Sequence, residues 1–296
     1  SGGLDSMVLL HLLASSPRRE ERPLRALHVH HGLDPAADDW AALCQDACNA
    51  LSVPLEIARV EVPRDRGIGR EGAARAARHG VFASALRDNE ILALAHHQDD
   101  QAETFLLRAL RASGPDGLAA MQAWRAHAGG WLWRPLLECP RAALLDFARR
   151  QGLRWIEDPS NADTLLDRNF LRVQVLPLLR ERWPQAAAAF ARSAALCAEA
   201  STLLREEDER ALAGIRGDDD RVIDAHGLQV LPRERGARVL RHWIETLGLP
   251  PLPATGVDRV EADLLHAAPD ADAAFAWSGA RLGRWREWVH AGRPGA

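Results

Sequence analysis

Strand-like and helical patterns alternate through the first half of this 296-residue chain. The strand-like runs cover residues 24–30, 54–62 and 91–95, and the helical patterns cover residues 39–51, 71–88 and 101–111. Strands that alternate with helices in this way form a parallel sheet with helices packed on both faces. We therefore expect an α/β fold with a parallel sheet.

The chain opens with a loop that is suited to binding an anion. Its residues are Ser1, Gly2, Gly3, Leu4, Asp5 and Ser6, and an apolar helical run follows directly. Glycines allow a tight turn and a close approach to a ligand, and the N-terminus of a helix offers unpaired N–H groups and a positive dipole. Ser1 and Ser6 add hydroxyl groups, and the Asp5 carboxylate could hold a metal ion on phosphates. The plainer alternative is a helix that starts after a glycine turn.

The composition of the basic residues limits what kind of phosphate loop this is. All 37 basic residues are Arg, so the loop lacks the Lys that a Walker A loop needs. A phosphate loop normally follows a strand. The sequence begins at Ser1, and we expect a strand upstream of it.

A second candidate site follows the strand-like run 91–95, at the sheet edge where α/β proteins bind ligands. Asp100 and Glu103 are three residues apart and share one side of the predicted helix. We interpret them as a pair that binds magnesium and handles a proton. A zinc site that includes His96 and His97 is one alternative, although the spacing matches no zinc signature. Ordinary helix capping is another.

Three charged residues lie on one face of the helical pattern 71–88. They are Glu71, Arg75 and Arg78, at positions i, i+4 and i+7. They could form surface ion pairs worth roughly a few tenths of a kcal/mol. Alternatively, the two guanidinium groups could bind a phosphate or a carboxylate.

Two polar segments are further candidates. Residues 111–118, which include Gly114 and Gly117, are rich in Gly and Pro and predict a loop that is either a lid or a connector. A turn-rich segment then leads to Arg168, Asn169 and Arg172 at the start of a helix. Capping with solvated charges is the plainer interpretation of that segment.

The second half of the chain reads as a connector and a smaller domain. The predicted elements are a strand and turn at 129–137, helices at 141–150, 185–213, 234–247 and 255–265, and strand-like runs at 221–225 and 281–289. We place a first domain at residues 1–184, a connecting helix at 185–213 and a second domain at 214–296.

Composition narrows the class of protein. The net charge of −4 means that a nucleic-acid partner would be held by local basic patches. The four cysteines, Cys44, Cys48, Cys139 and Cys197, form no CxxC pair. No uncharged apolar run approaches the roughly 18 residues of a membrane span, so we expect a cytoplasmic protein in a reducing compartment. We expect the ten Trp residues to lie mostly in the core.

Several blocks, taken in order, resemble the PP-loop ATP pyrophosphatases, and among them the bacterial tRNA(Ile)-lysidine synthases. The blocks are SGGLDS at 1–6, HVHHGLDPAADDW at 28–40, AHHQDDQAET at 95–104, RASGPDGLAAM at 111–121, RPLL at 134–137 and EDPSNADTLLDRNFLR at 157–172. Residues from 233 to about 289 are similar to the family's middle domain.

The resemblance implies an adenine nucleotide alpha hydrolase-like domain that lacks its first strand here, followed by a smaller, mainly helical domain that binds tRNA or substrate. It implies that ATP adenylates the wobble cytidine of tRNA(Ile) with a CAU anticodon, after which free L-lysine displaces AMP. The cofactors are then ATP and Mg²⁺. No membrane is involved, and the oligomeric state stays open, a dimer included.

The resemblance also implies roles for the candidate residues. The catalytic residues are Asp5, Asp100, Glu103 and Arg168, and the opening loop, residues 1–6, binds ATP. Asp5 and Asp100 would hold the magnesium ion. The substrate-binding residues are Glu71, Arg75, Arg78, Gly114, Gly117, Asn169 and Arg172. Two rivals remain: a tRNA thiolase of the same family, and a catalytically silent module that binds nucleotide or tRNA.

Overall fold

Strands and helices alternate through the first part of the chain in a computed structural model that describes residues 1–32, 34–61, 69–266 and 273–293. The chain divides into two units, Ser1–Ala198 and Glu199–Ala296. The helices of the first unit are Leu4–Ala14 (α1), Ala37–Ala50 (α2), Gly69–Ala85 (α3), Gln98–Leu110 (α4), Pro115–Leu118 (α5), Arg141–Arg150 (α6), Asp167–Phe170 (α7) and Leu176–Arg182 (α8). Its strands are Ala26–His30 (β1), Leu55–Arg59 (β2), Ile91–Ala93 (β3), Trp124–His127 (β4) and Gly130–Trp133 (β5). A 3₁₀ turn at Pro159–Ala162 precedes α7, and a π-helical segment at Leu171–Val175 joins α7 to α8.

The parallel pairing predicted from the sequence is confirmed. β1 pairs with β2 in parallel, with Ala26 opposite Leu55, and β3 pairs with β5 in parallel, with Ile91 opposite Trp131. β4 was not predicted, and it forms an antiparallel hairpin with β5. The strands therefore make a pair, β1–β2, and a group of three in the order β3–β5–β4.

Arg25 joins the two strand groups at their N-terminal ends. It precedes β1, and its Nε and Nη2 donate to the carboxylate of Glu90, just before β3, at 3.1 and 2.7 Å. Its Nη2 also donates to the carbonyl of Ala85 at 2.6 Å. The two hydrogen bonds from Arg25 to the Glu90 carboxylate lower the pKa of Glu90 to about 2.

Two helices build the apolar core behind the opening loop. α1 packs on α6, and the buried side chains of this cluster are Leu4, Val8, Leu9, Leu136, Leu144 and Ala148. The apolar run that follows the loop therefore anchors the loop to the body of the unit.

Among the predictions that differ from the structure, two have a clear local cause. α4 begins at Gln98 rather than at residue 101, because the side chain of His97 caps the helix. The prediction that residues 111–118 form only a loop is wrong at its end, where Pro115 opens the single turn α5. Proline suits the first position of a helix because it has no N–H to satisfy there.

The second unit combines helices with an antiparallel sheet. The helix Ala186–Ala213 (α9) runs through the unit boundary, and the elements that follow are Val222–Asp224 (β6), Ala225–Val230 (α10), Arg233–Thr246 (α11), Ala254–Arg259 (α12), a π-helical segment Val260–Leu265, Ala274–Trp277 (β7), Ala280–Trp285 (β8) and Trp288–Gly292 (β9). The sheet order is β6–β9–β8–β7. The strand-like run 281–289 is a hairpin rather than one strand, because Arg286 adopts a positive φ of 55° at its turn.

The expectation that the Trp residues lie mostly in the core is wrong. Trp243 and Trp277 are buried, whereas the exposed ones are Trp124, Trp131, Trp183, Trp285 and Trp288. Among the described residues, no helix is both long enough and apolar enough to cross a membrane.

Candidate active site

The opening loop is held in place by glycine. Gly2 has a positive φ of 74°, and a Cβ at this position would collide with the side chain of Ile156. The Ile156 N–H donates to the carbonyl of Gly2 at 2.9 Å, and Gly3 forms a parallel bridge with Ile156. The loop therefore lies on the segment that leads toward α7, in a conformation that favours glycine.

The first turn of α1 keeps its capacity to bind an anion. Gly3 is the N-cap, with an extended backbone and no side-chain cap. The Ser6 hydroxyl donates to the carbonyl of Gly3 at 2.9 Å and lies 2.9 Å from the Ser1 hydroxyl. Amides at an uncapped helix start favour negative charge. The predicted phosphate loop thus has the geometry of an anion cradle.

His97 brings the second candidate site to this loop. Its Nδ1 accepts from the Asp100 N–H at 3.3 Å, and the Asp100 carboxylate accepts from the His97 N–H at 3.0 Å. Its Nε2 lies 3.6 Å from Asp5 Oδ2 and 3.4 Å from Asp100 Oδ2. Asp5 and Asp100, predicted from separate motifs, therefore meet at one imidazole ring.

Charges in this cluster oppose the effect of burial. Burial works against a charged ring at His97, but the carboxylates of Asp5 and Asp100 outweigh it and raise the pKa of His97. Burial also works against ionisation of Asp100, whereas its neighbours, first His97 and then Arg168, lower its pKa below the usual value. Asp100 is therefore held as a carboxylate.

Two arginines bind the carboxylates of Asp100 and Glu103. Arg168 Nε donates to Glu103 Oε2 at 2.8 Å, and Arg172 Nε donates to Glu103 Oε1 at 2.7 Å. Arg172 Nη2 also donates to Asp100 Oδ1 at 2.9 Å. Glu103 is 0% exposed. We call these four residues, Asp100, Glu103, Arg168 and Arg172, the α4 cluster.

Local backbone structure places the two arginines on one side. They are four residues apart, across the junction between α7 and the π-helical segment Leu171–Val175. Single π-helical turns inside helices occur frequently at functional sites. The sequence predicted the helix but not this distortion.

Asn169 has a different local role from its neighbours. Its Nδ2 donates to the carbonyls of Ser160 and Asp163, at 2.9 and 3.0 Å. Its amide therefore fixes the turn-rich segment before α7.

Gly114 and Gly117 lie at the short helix α5, with Gly114 as its N-cap. The following segment is tied to α4 because the Gln101 amide donates to the carbonyl of Met121 and accepts from its N–H, at 2.9 and 3.0 Å. The predicted lid or connector is thus attached to the helix that carries Asp100.

The three charged residues of α3 are only partly described. The side chains of Glu71 and Arg75 lie outside the described residues. Burial first, and then the charge of Arg78, lowers the pKa of His31 at the end of β1. Arg78 therefore lies near the carboxyl end of β1.

Sequence reasoning missed His96, His97 and Arg134 as site residues. Arg134 Nε donates to His96 Nδ1 at 3.1 Å, and its Nη1 donates to the carbonyl of Gln122 at 2.6 Å. Two sequence signals pointed to these residues: the pair of histidines, which was interpreted as an alternative zinc site, and the RPLL block, which contains Arg134. In the ranges that the structure describes, no group of three or more His, Cys, Asp or Glu side chains is arranged to hold a metal ion.

The cysteines near the loop are buried. Cys44 Sγ lies 3.4 Å from His28 Nδ1, and burial raises the pKa of both Cys44 and Cys48. Burial also lowers the pKa of His28 to about 4. A neutral His28 beside a protonated thiol does not generate a nucleophilic thiolate.

Comparisons with known proteins agree with this architecture. Residues 1–179 match the PP-loop domain family, and residues 224–290 match the TilS substrate binding domain. A protein from Xanthomonas axonopodis pv. citri (strain 306), named tRNA(Ile)-lysidine synthase, is 56% identical over 100% of this chain and 67% of its own length. One of the same name from Xylella fastidiosa (strain Temecula1 / ATCC 700964) is 52% identical over 99% of this chain and 67% of its own length. The chain thus spans about two thirds of these relatives.

A solved structure with a similar fold belongs to a different enzyme. The U34-tRNA thiolase NcsA from Methanococcus maripaludis, with its [4Fe-4S] cluster, aligns with a TM-score of 0.52 at 17% identity. The alignment covers 66% of this chain and 68% of the thiolase. At that identity the likeness concerns the fold alone.

Proposed function

This chain belongs to the tRNA(Ile)-lysidine synthases, and from that premise we propose how its first unit uses ATP to join free L-lysine to the wobble cytidine of tRNA(Ile) with a CAU anticodon. The observation that carries the proposal is the meeting of Asp5 and Asp100 at His97, beside an uncapped helix start. The reaction has two steps. The cytidine first attacks ATP and releases pyrophosphate, and the lysine ε-amine then displaces AMP.

The opening loop is suited to the leaving group of the first step. Pyrophosphate is an anion, and the amides and dipole of the α1 N-terminus stabilise negative charge as it develops. The hydroxyls of Ser1 and Ser6 lie at the same turn. No Lys is needed, because backbone amides supply the donors.

Asp5 fits a magnesium ion better than Asp100 does. Asp5 Oδ1 is buried without a hydrogen-bond partner among the described residues, and Mg²⁺ prefers carboxylate oxygens together with substrate phosphates. Both oxygens of Asp100 already accept hydrogen bonds, from Arg172 and from the His97 N–H. When bound, Mg²⁺ would neutralise charge on the phosphates. We propose Asp5 as its main protein ligand, with Asp100 beside the same ring nitrogen of His97.

The second step needs a neutral amine. The unperturbed pKa of lysine is ~10.4, so deprotonation at neutral pH costs roughly 5 kcal/mol. Asp100, held ionised by its positive neighbours, can bind the ammonium and accept its proton. Because its pKa is lowered, Asp100 is a weak base, so its larger contribution is to place the lysine at the site as an ammonium before the proton leaves.

Glu103 is better placed to orient arginines than to take a proton. Both of its oxygens accept from Arg168 and Arg172. The two guanidinium groups use Nε and Nη2 in this cluster, and their Nη1 groups have no partner within the described ranges. We propose that these Nη1 groups bind a phosphate or the lysine carboxylate.

The two family matches support the remaining contacts that we propose with the substrates. We propose that Glu71, Arg75, Arg78, Gly114 and Gly117 border the substrates and that Asn169 shapes the segment before α7. The second unit, which contains the TilS substrate binding domain at residues 224–290, would contact the tRNA. A cytoplasmic location follows from these substrates. The domain limits 1–184, 185–213 and 214–296 remain our assignment.

Release of AMP and pyrophosphate tests the proposal. With ATP, Mg²⁺ and tRNA(Ile), we expect pyrophosphate release without lysine, and AMP release that requires lysine. AMP release that requires sulfide instead would favour a thiolase. Absence of both products would favour a silent binding module.

A further inference from the structure

We propose that His97 is a positioning residue that fixes the opening loop relative to α4 by holding Asp5 and Asp100 on one buried ring. The inference rests on the proposed function, because it assigns geometry to the two carboxylates used there. It adds a residue that neither the sequence interpretation nor the comparisons assigned to the reaction.

The ring of His97 is used on both edges. It is 1% exposed. Its Nδ1 caps α4 by accepting from the Asp100 N–H at 3.3 Å. Its Nε2 faces Asp5 Oδ2 at 3.6 Å and Asp100 Oδ2 at 3.4 Å.

The cap determines what the other edge can do. A ring nitrogen that accepts an amide proton carries no proton itself, so in the capped state the neutral ring has its N–H on Nε2. That N–H lies between two carboxylate oxygens, which would otherwise repel each other across the gap. The side chain of His97 therefore caps the start of α4 with Nδ1 and positions the carboxylates of Asp5 and Asp100 with Nε2.

Sheet hydrogen bonds do not supply this link within the described residues. The β1–β2 pair and the β3–β5–β4 group are separate, and the loop residue Gly3 pairs with Ile156 rather than with β3. His97, directly after the segment that leaves β3, contacts Asp5 itself. Since misplacing a catalytic group by about 1 Å can cost about 10²-fold in rate, this contact should matter for catalysis.

Substitutions at His97 can separate the cap from the bridge. Asn is a strong N-cap whose short side chain can replace Nδ1, but it cannot reach Asp5. Gln can place an N–H near the position of Nε2, but it is a poorer cap. His97→Met removes both functions. The three variants are compared with wild type by thermal unfolding, by calorimetric binding of ATP with Mg²⁺, and by the rate of pyrophosphate release with tRNA(Ile).

We expect the two readouts to rank the variants differently. His97→Asn should unfold within about 2–4 °C of wild type, yet release pyrophosphate about 10²-fold more slowly and bind ATP about 10-fold more weakly. His97→Gln should keep pyrophosphate release within about 10-fold of wild type despite its weaker cap. His97→Met should be defective in both readouts.

Two results would overturn the proposal. One is a His97→Asn protein that binds ATP and releases pyrophosphate as wild type does. The other is equal activity loss in the Asn and Gln variants that follows their loss of thermal stability, which is what a merely structural histidine would give. ATP binding needs neither lysine nor tRNA. It therefore tests the bridge even if wild type forms no lysine-dependent AMP and the proposed function fails.

Discussion

Two helices, α4 in the first unit and α9 in the second, each bury a carboxylate against arginine. Glu103 on α4 is 0% exposed and binds Arg168 and Arg172, while Asp208 on α9 is 2% exposed and binds Arg238 at 3.0 and 2.8 Å. Burial and ion pairing therefore do not distinguish the two regions.

An unsatisfied oxygen does not distinguish them either. Asp208 Oδ1 is buried without a partner among the described residues, as is Asp5 Oδ1 beside the α4 cluster. The difference lies in the chain segments that meet. The α4 cluster joins α4 to the helix that starts at α7, and His97 links it to a glycine loop that can bind an anion. Asp208 and its ion-paired neighbours on α9 bind side chains of α11, and Glu209 also pairs with Arg216 just after α9. Charged side chains that meet at an anion-binding loop indicate the candidate site. A row of ion pairs between two helices is structural.

The largest expected effect is on catalysis at Asp100. Asp100→Asn removes both the charge that holds the lysine ammonium and the group that accepts its proton, so lysine-dependent AMP release should fall by about 10³-fold. The fold should persist, since Asn can still accept from Arg172. Asp208→Asn is the matched control, with activity expected within about 3-fold of wild type. Normal activity in Asp100→Asn would remove this residue from the mechanism.

The second effect is on stability in the other region. Arg238→Met leaves Asp208 as a buried charge, and breaking a buried pair in this way costs about 3 kcal/mol of unfolding free energy. Urea unfolding measures the loss, and the rate per folded molecule should stay unchanged. A large rate loss with unchanged stability would reverse the assignment of the two regions.

A smaller effect is expected at the glycine of the loop. Gly2→Ala forces a residue with a Cβ into a positive φ, at roughly 1–2 kcal/mol, and also pushes against Ile156. Gly152→Ala is the matched control, because Gly152 has a φ of 61° and open space around its Cβ position. We expect only Gly2→Ala to weaken ATP binding, measured by calorimetry. Equal effects in both variants would show that the backbone strain alone matters.

The smallest effect is a pH dependence away from both regions. Contact with Arg25 lowers the pKa of Glu90 from 4.5 to about 2. A lowered pKa means that the pair contributes stability above pH 4.5 and loses it as pH falls toward 2. Glu90→Gln should therefore show a flatter decline of unfolding free energy over that range. Parallel curves for the two proteins would contradict the assignment.

Much of the first unit could be predicted from the sequence because its signals are local. Alternating apolar patterns located β1, β2 and β3, and α6 has the predicted limits, Arg141–Arg150. β4 escaped prediction because Trp124–His127 is only four residues long and largely exposed, and its partner in the hairpin supplies the pairing. The sequence pattern predicts one continuous strand at 281–289, because nothing in it marks the turn at Arg286.

The sequence predicts which residues form the site, but it does not predict which of their side chains bind each other. The family resemblance assigned Asp5, Asp100, Glu103 and Arg168 to one active site, and the end of a strand placed Asp100 and Glu103 at the edge of the sheet. Which carboxylate each arginine would bind depends on the π-helical segment after α7, which has no signature in the sequence. The role of His97 was not predicted because it depends on a contact with Asp5, which lies far away in the sequence.

Incorporation of labelled L-lysine into tRNA is the most direct test of the central claim, that this chain modifies the wobble cytidine with ATP and lysine. The chain is incubated with Mg²⁺, labelled lysine and tRNA(Ile) with a CAU anticodon, with and without ATP, and the labelled nucleoside is located by digestion. We predict label at the wobble position, only with ATP, and none in a tRNA without cytidine there. Absence of label in tRNA(Ile), or label that forms without ATP, would contradict the claim.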